Sequence, residues 1–365
     1  MSESRTQKSI SKRLLGWFQQ DPEPMPWRGS TDPYAIWLSE VMLQQTQIRT
    51  VIPYWNNFMV RYPDPQSLAD ATEDEVLSDW AGLGYYSRGR NLHRAAKQIV
   101  QDHNGQFPKK PEDVRNLPGV GEYTTAAVCS IAFGEPLAVV DGNVERVICR
   151  HRALSGDSRK GETKVHIRKW AQEWIDPEQA GDHNQAVMDL GRKVCTPKNP
   201  NCSTCPISTD CLAFESGEPE RWPTPRKRRA TEKQRWCSAI LLIGEDVLLL
   251  PGNTELLPRH SGPVLARWDK ENDSPADVLE EEFMKRGLPV PQLMGHGDVY
   301  KHAITHRQLE IQPLLYRWEN EVPHDSKRIP LSEPDRLPAL HRKAVIAIQP
   351  FISGTSKGVD LVHDS

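Results

Sequence analysis

Leu117-Pro118-Gly119-Val120-Gly121 is the stretch of sequence that decides the fold of the front of the chain. Its two glycines permit a tight turn, and helical patterns lie on both sides, one opened by Pro111 and the next beginning near Glu122. The stretch therefore predicts a helix–hairpin–helix, whose backbone N–H groups can approach a phosphate without obstruction by side chains. A plain turn between two helices is the simpler alternative.

The sequence around this hairpin predicts helices only. Thr72 and Glu75 form a capping box, Asn104 and Gly134 each end a helix, and Asp141 can cap the helix that follows it. Hardly any stretch before residue 212 alternates apolar and polar residues with period two, as strands would. We therefore predict an all-α domain over residues 1–218.

Four cysteines follow in one short loop with the spacing Cys-x6-Cys-x2-Cys-x5-Cys. The chain has seven cysteines, no export signal and no apolar run long enough to span a membrane, so we expect a reducing, cytoplasmic setting without disulfides. Four thiolates in such a loop can wrap one metal centre, and the uneven spacing favours an iron–sulfur cluster, with zinc as the alternative. The predicted ligands are Cys195, Cys202, Cys205 and Cys211.

The composition changes after this loop, and a chain of 365 residues is long enough for two domains. Residues 219–235 are rich in proline, arginine and lysine and predict a stiff basic linker, either a solvated connector or a strap along phosphates. A small α+β domain is predicted over residues 236–353, followed by a disordered tail over residues 354–365. Its predicted elements are strands at Trp236–Ile243, Val247–Leu250 and Leu309–Leu315, and helices at Ser274–Arg286 and Pro338–Ile352.

A carboxylate marks the stretch Val140-Asp141-Gly142-Asn143-Val144-Glu145-Arg146-Val147, where capping by Asp141 alone is the simpler alternative. The hairpin, this stretch and the cysteine loop, in this order and separation, resemble the endonuclease III superfamily of DNA glycosylases. Within it, three further motifs resemble the MutY-type adenine DNA glycosylase family. These motifs are Pro26-Trp27-Arg28, Leu38–Thr46 (LSEVMLQQT) and Gly82–Arg88 (GLGYYSR).

The resemblance covers roughly residues 9–212 and implies a multi-domain fold. It implies an all-α helix–hairpin–helix glycosylase domain with a [4Fe–4S] loop, followed by a small α+β domain that is Nudix-like. The full Nudix box of glycine, arginine and spaced glutamates is absent near Asp277–Gly287, so no pyrophosphatase activity is expected. The implied partner is duplex DNA with adenine opposite 8-oxoguanine or guanine, and we expect a monomer.

The implied reaction cuts the N-glycosidic bond of adenine. It needs an acid that protonates the leaving purine and a carboxylate that faces the positive charge on the sugar. Glu40 resembles the family's proton donor to N7, and its apolar neighbours should raise its pKa. Asp141 resembles the carboxylate, oriented by Asn143. Tyr123 stands where relatives that cut the strand carry a Schiff-base lysine, so we predict a monofunctional enzyme that leaves an abasic site.

A target base must leave the stack, and something must fill the gap it leaves. Gln45 and Tyr85 resemble the family's intercalating residues, while Thr305 and His306 lie nearest to its lesion-reading Phe-Ser-His loop, with Ile304 in place of the aromatic residue. Other residues predicted by resemblance to bind adenine or DNA are Trp27, Arg28, Leu43, Thr46, Ile48, Arg88, Gly119, Gly121 and Gln185. For the apolar members, ordinary core packing is the alternative.

Three other functions stay open on the sequence. A pyrimidine-damage glycosylase-lyase like endonuclease III is disfavoured by Tyr123 at the lysine position. A thymine-mismatch glycosylase is a second alternative. A non-catalytic DNA-binding protein that uses the hairpin and the linker is a third, and it predicts that Glu40→Gln changes affinity alone.

Overall fold

A computed structural model describes residues 2–20, 23–224, 230–252, 256, 261–269, 273–334 and 337–352, with side chains in the first helix from Ile10 onward. The chain divides into two compact units, Met1–Lys227 and Arg228–Ser365. The predicted tail over residues 354–365 and the basic residues 226–229 of the predicted linker lie outside the described residues.

The described part of the first unit is helical throughout, as the sequence predicts. Thr72 and Glu75 form the predicted capping box, while Asn104 and Gly134 end their helices in the left-handed conformation. None of the described helices is long and apolar enough to cross a lipid bilayer. The helices are α1 (Ser2–Gln20), α2 (Pro33–Leu43), α3 (Ile48–Arg61), α4 (Pro65–Asp70), α5 (Glu73–Asp79), α6 (Ser87–His103), α7 (Pro111–Arg115), α8 (Glu122–Phe133), α9 (Gly142–His151), α10 (Gly161–Trp174), α11 (Ala180–Lys193) and α12 (Leu212–Glu215).

Two hydrophobic cores stabilise this unit. One lies among α2, α3, α5 and α6, where Phe58 and Trp80 meet edge to face with their ring centroids 5.8 Å apart. The other lies among α1, α9, α10 and α11 around Trp174. Helix α8 joins the cores, because it buries Val128 in the first and Ala127 in the second. Helix α8 therefore lies where the two cores meet.

The second unit is a mixed sheet with a helix on each face. Strand β1 lies parallel to β6 at its centre and is buried on both faces, which is why its sequence reads as a nearly continuous apolar run. Phe283 of one helix packs against Leu241, and Val345 of the other packs against Ile240, the neighbouring residue that points to the opposite face. The elements are β1 (Glu232–Ile243), β2 (Asp246–Leu249), β3 (Val264–Arg267), α13 (Pro275–Lys285), β4 (Gln292–His296), β5 (Tyr300–Ile304), β6 (Arg307–Arg317), β7 (Lys327–Pro330) and α14 (Ala339–Ile352), with the sheet order β4-β6-β1-β2-β7, β3 beside β1 and β5 beside β6.

The predicted linker over residues 219–235 is shorter than its composition indicates. Pro219–Arg221 form a 3-10 turn, and Trp222 is buried in the helical core, where its carbonyl accepts a hydrogen bond from Arg150 Nε at 3.0 Å. At the other end, β1 begins at Glu232, four residues before the predicted Trp236, because Glu232–Arg235 already pair with β6. Most described residues of the predicted linker therefore belong to one unit or the other.

Candidate active site

A cavity of about 580 Å³ opens in the first unit where its two cores meet. Helix α2, the start of α3, the N-terminal ends of α8 and α9, and one face of α11 line it. Ten of the residues singled out from the sequence lie together on its wall: Trp27, Arg28, Glu40, Leu43, Thr46, Ile48, Tyr123, Asp141, Asn143 and Gln185. The lining does not include Gln45, Tyr85, Arg88, Gly119, Gly121, Thr305 or His306.

Glu40 is the one charged residue of helix α2, whose other residues are mostly apolar. Every residue from Tyr34 to Met42 is buried, and Glu40 itself is only 6% exposed. Burial raises the pKa of Glu40 to about 7 and the charge of Asp141 adds to this, while a hydrogen bond from Tyr123 lowers it. A carboxyl group with a pKa near neutral pH can both hold and release a proton there.

Tyr123 connects Glu40 to the opposite wall of the cavity. Its hydroxyl donates to Glu40 Oε2 at 2.7 Å and lies 3.4 Å from Met188 Sδ. Burial raises the pKa of Tyr123 well above its ordinary value, and the charge of Glu40 adds to the effect. The phenol therefore stays protonated and fixes one oxygen of Glu40, which leaves the other oxygen available to a ligand.

The raised pKa of Glu40 predicts that this residue costs stability as the pH rises. An ordinary glutamate has a pKa of 4.5 and the folded one of about 7, so the folded state binds the proton more tightly. The stability due to this proton is complete below the unfolded pKa and is lost as the pH rises through the folded one. Relative to the wild type, Glu40→Gln should therefore gain roughly 2 to 3 kcal/mol in free energy of unfolding between about pH 5 and about pH 8.

Urea unfolding of both proteins at the two pH values measures this difference. All other titrating groups are common to the two proteins, so their contributions cancel. Glu178→Gln, at an exposed position before α11, is the matched control and should show no such change. A difference between wild type and Glu40→Gln that does not depend on pH would show that the carboxyl group is not destabilised by its surroundings.

Asp141 caps α9 and faces the cavity at the same time. One carboxylate oxygen, Oδ1, accepts from the backbone N–H groups of Asn143 at 2.9 Å and Val144 at 2.7 Å. The other, Oδ2, accepts from Asn143 Nδ2 at 2.8 Å. The capping and functional interpretations of Asp141 are thus compatible, because the cap is what holds the carboxylate in place against the cavity.

Arg146 was not identified from the sequence, yet it holds Asn143 in turn. Its Nη2 donates to Asn143 Oδ1 at 2.9 Å and to the carbonyl of Gly191 at 2.7 Å, while Nε donates to the carbonyl of Cys195 at 2.7 Å. Hydrogen bonds therefore connect the backbone of the first loop cysteine with the carboxylate of Asp141. The only sequence signal for this is the spacing of three between Asn143 and Arg146, which places them on one helix face.

A buried acid, Asp189, fixes Arg28 on the cavity wall and was also missed. Arg28 Nη1 donates to Asp189 Oδ2 at 2.8 Å, and the guanidinium lies 5.1 Å from the centre of the Phe18 ring. Burial alone would raise the pKa of Asp189, but hydrogen bonds from Arg28 and Arg192 hold it below its ordinary value. Asp189 lies four residues after Gln185, on the same face of α11, which is the signal that could have revealed it.

The two glycines of the hairpin serve different purposes. Gly119 has φ +77°, and a Cβ atom there would lie 2.7 Å from Cβ of Asn91, so the fold requires glycine at this position. Gly121 caps α8 with an ordinary extended φ of −104°, and nothing lies within 4 Å of the point where its Cβ would be. The open space at Gly121 exposes the N-terminal end of α8, as a phosphate contact requires.

Gln45 and Tyr85 lie outside the cavity and are exposed, Tyr85 to 56%. Both have left-handed backbones, with φ of +59° and +49°. Arg88 differs from the prediction that it binds DNA: it is only 8% exposed, and its guanidinium donates to backbone carbonyls of the protein. The structure therefore does not present Arg88 to DNA.

Thr305 and His306 form the two-residue turn between β5 and β6 in the second unit. Thr305 is exposed and has φ +54°, a strained value for a β-branched residue. Its hydroxyl donates to the carbonyl of Ile304 at 2.7 Å and lies 3.2 Å from His306 Nδ1. The two polar side chains are therefore adjacent at the tip of a hairpin.

The four loop cysteines form no disulfide bonds and line one small cavity directly after α11. Among the described residues, no group of three or more His, Cys, Asp or Glu is placed to hold a single metal ion. Arg150 covers the loop, donating to Cys195 Sγ at 3.3 Å and to the carbonyls of Thr196 and Pro197. Four soft donors beside a buried cation suit a cluster with net negative charge.

Comparison with known proteins agrees with this arrangement. Residues 38–173 match the HhH-GPD superfamily of base excision DNA repair proteins, and residues 195–211 match the iron–sulfur binding domain of endonuclease III. The cysteine loop is therefore the site of a [4Fe–4S] cluster, and the prediction of an iron–sulfur group is confirmed. A thermostable thymine-DNA glycosylase of known structure superposes with a TM-score of 0.55 at 28% identity, covering 59% of this chain and 100% of that one.

Curated relatives narrow the family further. Human adenine DNA glycosylase is 47% identical over 219 residues, 57% of this chain and 40% of the human protein. The matched region thus spans less than half the length of that relative. Adenine DNA glycosylase of Buchnera aphidicola subsp. Acyrthosiphon pisum is 33% identical over 254 residues, 68% of this chain and 71% of the relative. The chain therefore belongs to the adenine DNA glycosylase family, within the HhH-GPD superfamily of base excision DNA repair proteins.

Proposed function

We propose that this protein is a monofunctional adenine DNA glycosylase, which hydrolyses the N-glycosidic bond of adenine mispaired with 8-oxoguanine or guanine. The observation that carries the proposal is the cavity that holds Glu40, Tyr123 and Asp141 together. Its volume of about 580 Å³ accommodates a purine base with part of its sugar. Family membership and the names of the relatives support the same activity.

The buried carboxyl group of Glu40 supplies the acid. With a pKa of about 7 it is substantially protonated at neutral pH, and Tyr123 occupies one of its oxygens, so the other can give its proton to N7 of an adenine in the cavity. Protonation makes the base a better leaving group, and the bond between the sugar C1′ and the purine N9 breaks with its electron pair going to the base. The buried position of Glu40 keeps this proton from exchanging freely with water.

Asp141 supplies negative charge where the sugar becomes positive. Loss of the base leaves an oxocarbenium-like sugar, and a carboxylate held by three N–H groups can face it without rearrangement. Water then adds its oxygen to C1′ and gives up one proton, and the product is an abasic site. The glutamate, now deprotonated, can take that proton, which restores the starting state.

Tyr123 supports a monofunctional reaction. A lysine in its place could form an imine with C1′ and lead to strand cleavage, whereas a phenol cannot. The hydroxyl of Tyr123 is instead committed to Glu40 at 2.7 Å. We therefore expect base release without coupled cutting of the strand.

The four-cysteine loop would hold its cluster away from this reaction. When bound, the cluster supplies a structural cross-link among Cys195, Cys202, Cys205 and Cys211. Arg146 connects that loop to Asn143, because it donates hydrogen bonds to both. Asn143 in turn donates a hydrogen bond to Asp141. The loop thus contributes to catalysis by fixing the position of a carboxylate.

A single-turnover assay on duplexes with adenine, thymine or guanine opposite 8-oxoguanine, guanine or cytosine tests the proposal. Adenine release opposite 8-oxoguanine and guanine, with no borohydride-trapped complex and no strand cleavage until alkali is added, is the expected result. Thymine release in preference to adenine would favour the activity for which the structural relative, a thymine-DNA glycosylase, is named. Strand cleavage at the rate of base release would refute a monofunctional enzyme.

The second unit would read the base opposite the adenine, as a Nudix-like domain does in the family that the sequence resembles. The hairpin tip offers the hydroxyl of Thr305 beside the imidazole of His306, a donor and acceptor pair suited to a purine edge. Thr305→Ala combined with His306→Ala should lower the preference for 8-oxoguanine over guanine by roughly tenfold, the effect of losing one or two hydrogen bonds. The ratio of single-turnover rates on the two substrates measures this.

Thr305→Ser combined with His306→Gln is the matched control, because it keeps a hydroxyl and a polar group at the tip. It should retain most of the preference. An alanine double variant with the wild-type ratio would show that this hairpin does not read the opposite base.

A further inference from the structure

Gln45 and Tyr85 share a feature that exposed loop residues rarely have. Neither is a glycine, yet each has its backbone in the left-handed region, with φ of +59° and +49°. Each also directly follows a residue whose carbonyl accepts a hydrogen bond from a buried side chain. Such backbones are strained, and they persist only where the surroundings over-determine them. One side chain, that of Arg88, constrains the backbone beside both residues.

The guanidinium of Arg88 joins the two loops by hydrogen bonds. Nη1 donates to three carbonyls at the end of α2, those of Val41 at 3.0 Å, Met42 at 2.8 Å and Gln44 at 2.6 Å. In the loop before α6, Nη2 donates to the carbonyls of Leu83 at 3.2 Å and Gly84 at 3.1 Å. In the loop after α2, it donates to Thr46 Oγ1 at 3.1 Å.

The acceptors bracket the two exposed residues. Gln45 lies between Gln44 and Thr46, which both accept from Arg88, and Tyr85 follows Gly84, which accepts from the same nitrogen as Thr46. The guanidinium carbon is also 5.4 Å from the centre of the Tyr85 ring and 5.4 Å from that of Trp80, so it contacts the Tyr85 side chain as well as its backbone.

The chemistry of the side chain explains why it can hold both loops. Three carbonyls at the C-terminal end of α2 carry the negative pole of that helix, where a cation is favoured. The planar guanidinium presents donors along several directions in a fixed fork, whereas an ammonium is a point charge on a flexible stem. Arg88 is buried, so water does not compete for these carbonyls.

We propose that Arg88 is a positioning residue that fixes Gln45 and Tyr85 at a set separation before DNA binds, so that the two enter the base stack as one preformed unit. This inference rests on the proposed function, since it assigns a role in extruding the target adenine. Preformed spacing lowers the cost of flipping, because neither loop has to be ordered when the duplex binds.

Arg88→Lys tests the inference, because it keeps the cation and loses the fork. Two duplexes are compared in single-turnover assays: adenine opposite guanine, which must be unpaired and extruded, and the same adenine opposite an abasic site, where no pair has to be broken. Arg88→Lys should lower the rate on the first duplex by roughly tenfold to a hundredfold and on the second by about threefold at most. Arg94→Lys, at an exposed position on the same helix, is the matched control.

A second readout does not need base release. 2-Aminopurine placed at the target position brightens when it leaves the stack, and Arg88→Lys should reduce this rise relative to wild type. A wild type that extrudes the base but releases no adenine would refute the proposed function and leave this inference intact. Equal losses on the two duplexes, or an unchanged fluorescence rise, would overturn the inference. Arg88 would then only stabilise the C-terminal end of α2.

Thr46→Val provides a milder variant in case Arg88→Lys does not fold. It removes one of the six acceptors and leaves every backbone carbonyl in place. It should shift the fluorescence rise in the same direction by a smaller amount, while Thr46→Ser, which keeps the hydroxyl, should retain more of the rise than Thr46→Val does. A Thr46→Val protein with a fluorescence rise equal to that of Thr46→Ser would contradict the inference.

Discussion

Glu40→Gln should slow adenine release by roughly a thousandfold while duplex affinity stays within about threefold of wild type. Glutamine has nearly the same shape and can still accept the hydrogen bond that Tyr123 donates to Glu40 Oε2 at 2.7 Å, so the cavity keeps its form. What is lost is the proton that the carboxyl group gives to the purine. A single-turnover rate measurement with saturating enzyme separates this loss from any change in binding.

The pH dependence of the wild-type enzyme provides the companion result. Because the acid must be protonated and its pKa is about 7, the single-turnover rate should be highest on the acidic side and fall about tenfold per pH unit well above pH 7. The residual rate of Glu40→Gln should lack this dependence. Base release by Glu40→Gln at the wild-type rate would assign the acid to another group, whereas no base release by either protein would support a purely DNA-binding protein.

Asp141→Asn should slow adenine release by roughly a hundredfold to a thousandfold without weakening the fold. Asparagine caps a helix about as well as aspartate, so the bonds from the backbone N–H groups of Asn143 and Val144 can persist. The substitution therefore removes the negative charge that faces the sugar, together with the hydrogen bond that Asn143 Nδ2 donates to Oδ2 at 2.8 Å. Single-turnover rates and Tm, measured on the same preparation, show whether activity and stability separate.

Asp141→Ala is the matched comparison for that result. It removes the cap as well as the charge, so it should lose activity and also about 1 kcal/mol of stability. If Asp141→Asn released adenine at the wild-type rate, the carboxylate would be a helix cap only, the simpler of the two roles that its sequence position allows.

The parts of the site that could be predicted from the sequence depend on local spacing. The capping geometry of Asp141 requires only the second and third residues after it, and the four cysteines fall within one short loop. The nearly continuous apolar sequence around Glu40 likewise indicates a helix that is buried on every side. Such features are set by neighbours a few residues away, so they leave a readable pattern.

The parts that were missed depend on distant partners. Nothing in the sequence distinguishes Asp189 from other acids, because its partner Arg28 lies 161 positions earlier. Arg88 is likewise predicted to contact DNA from the sequence, whereas the fold places it beneath α2. In the second unit, β3, β4, β5 and β7 are four or five residues long, and no side chain of β4 or β5 is fully buried. Short, half-exposed strands carry little alternation, so tertiary pairing decides them.

The apolar surroundings of Glu40 have an evolutionary consequence. Because the wild type loses stability at neutral and higher pH through this one carboxyl group, a population screened only for resistance to heat or urea would be enriched in variants that have replaced it. The most stable descendants would then be inactive. An acid at this position therefore opposes the thermodynamics of folding at neutral and higher pH, and we expect selection for chemistry to be what maintains it.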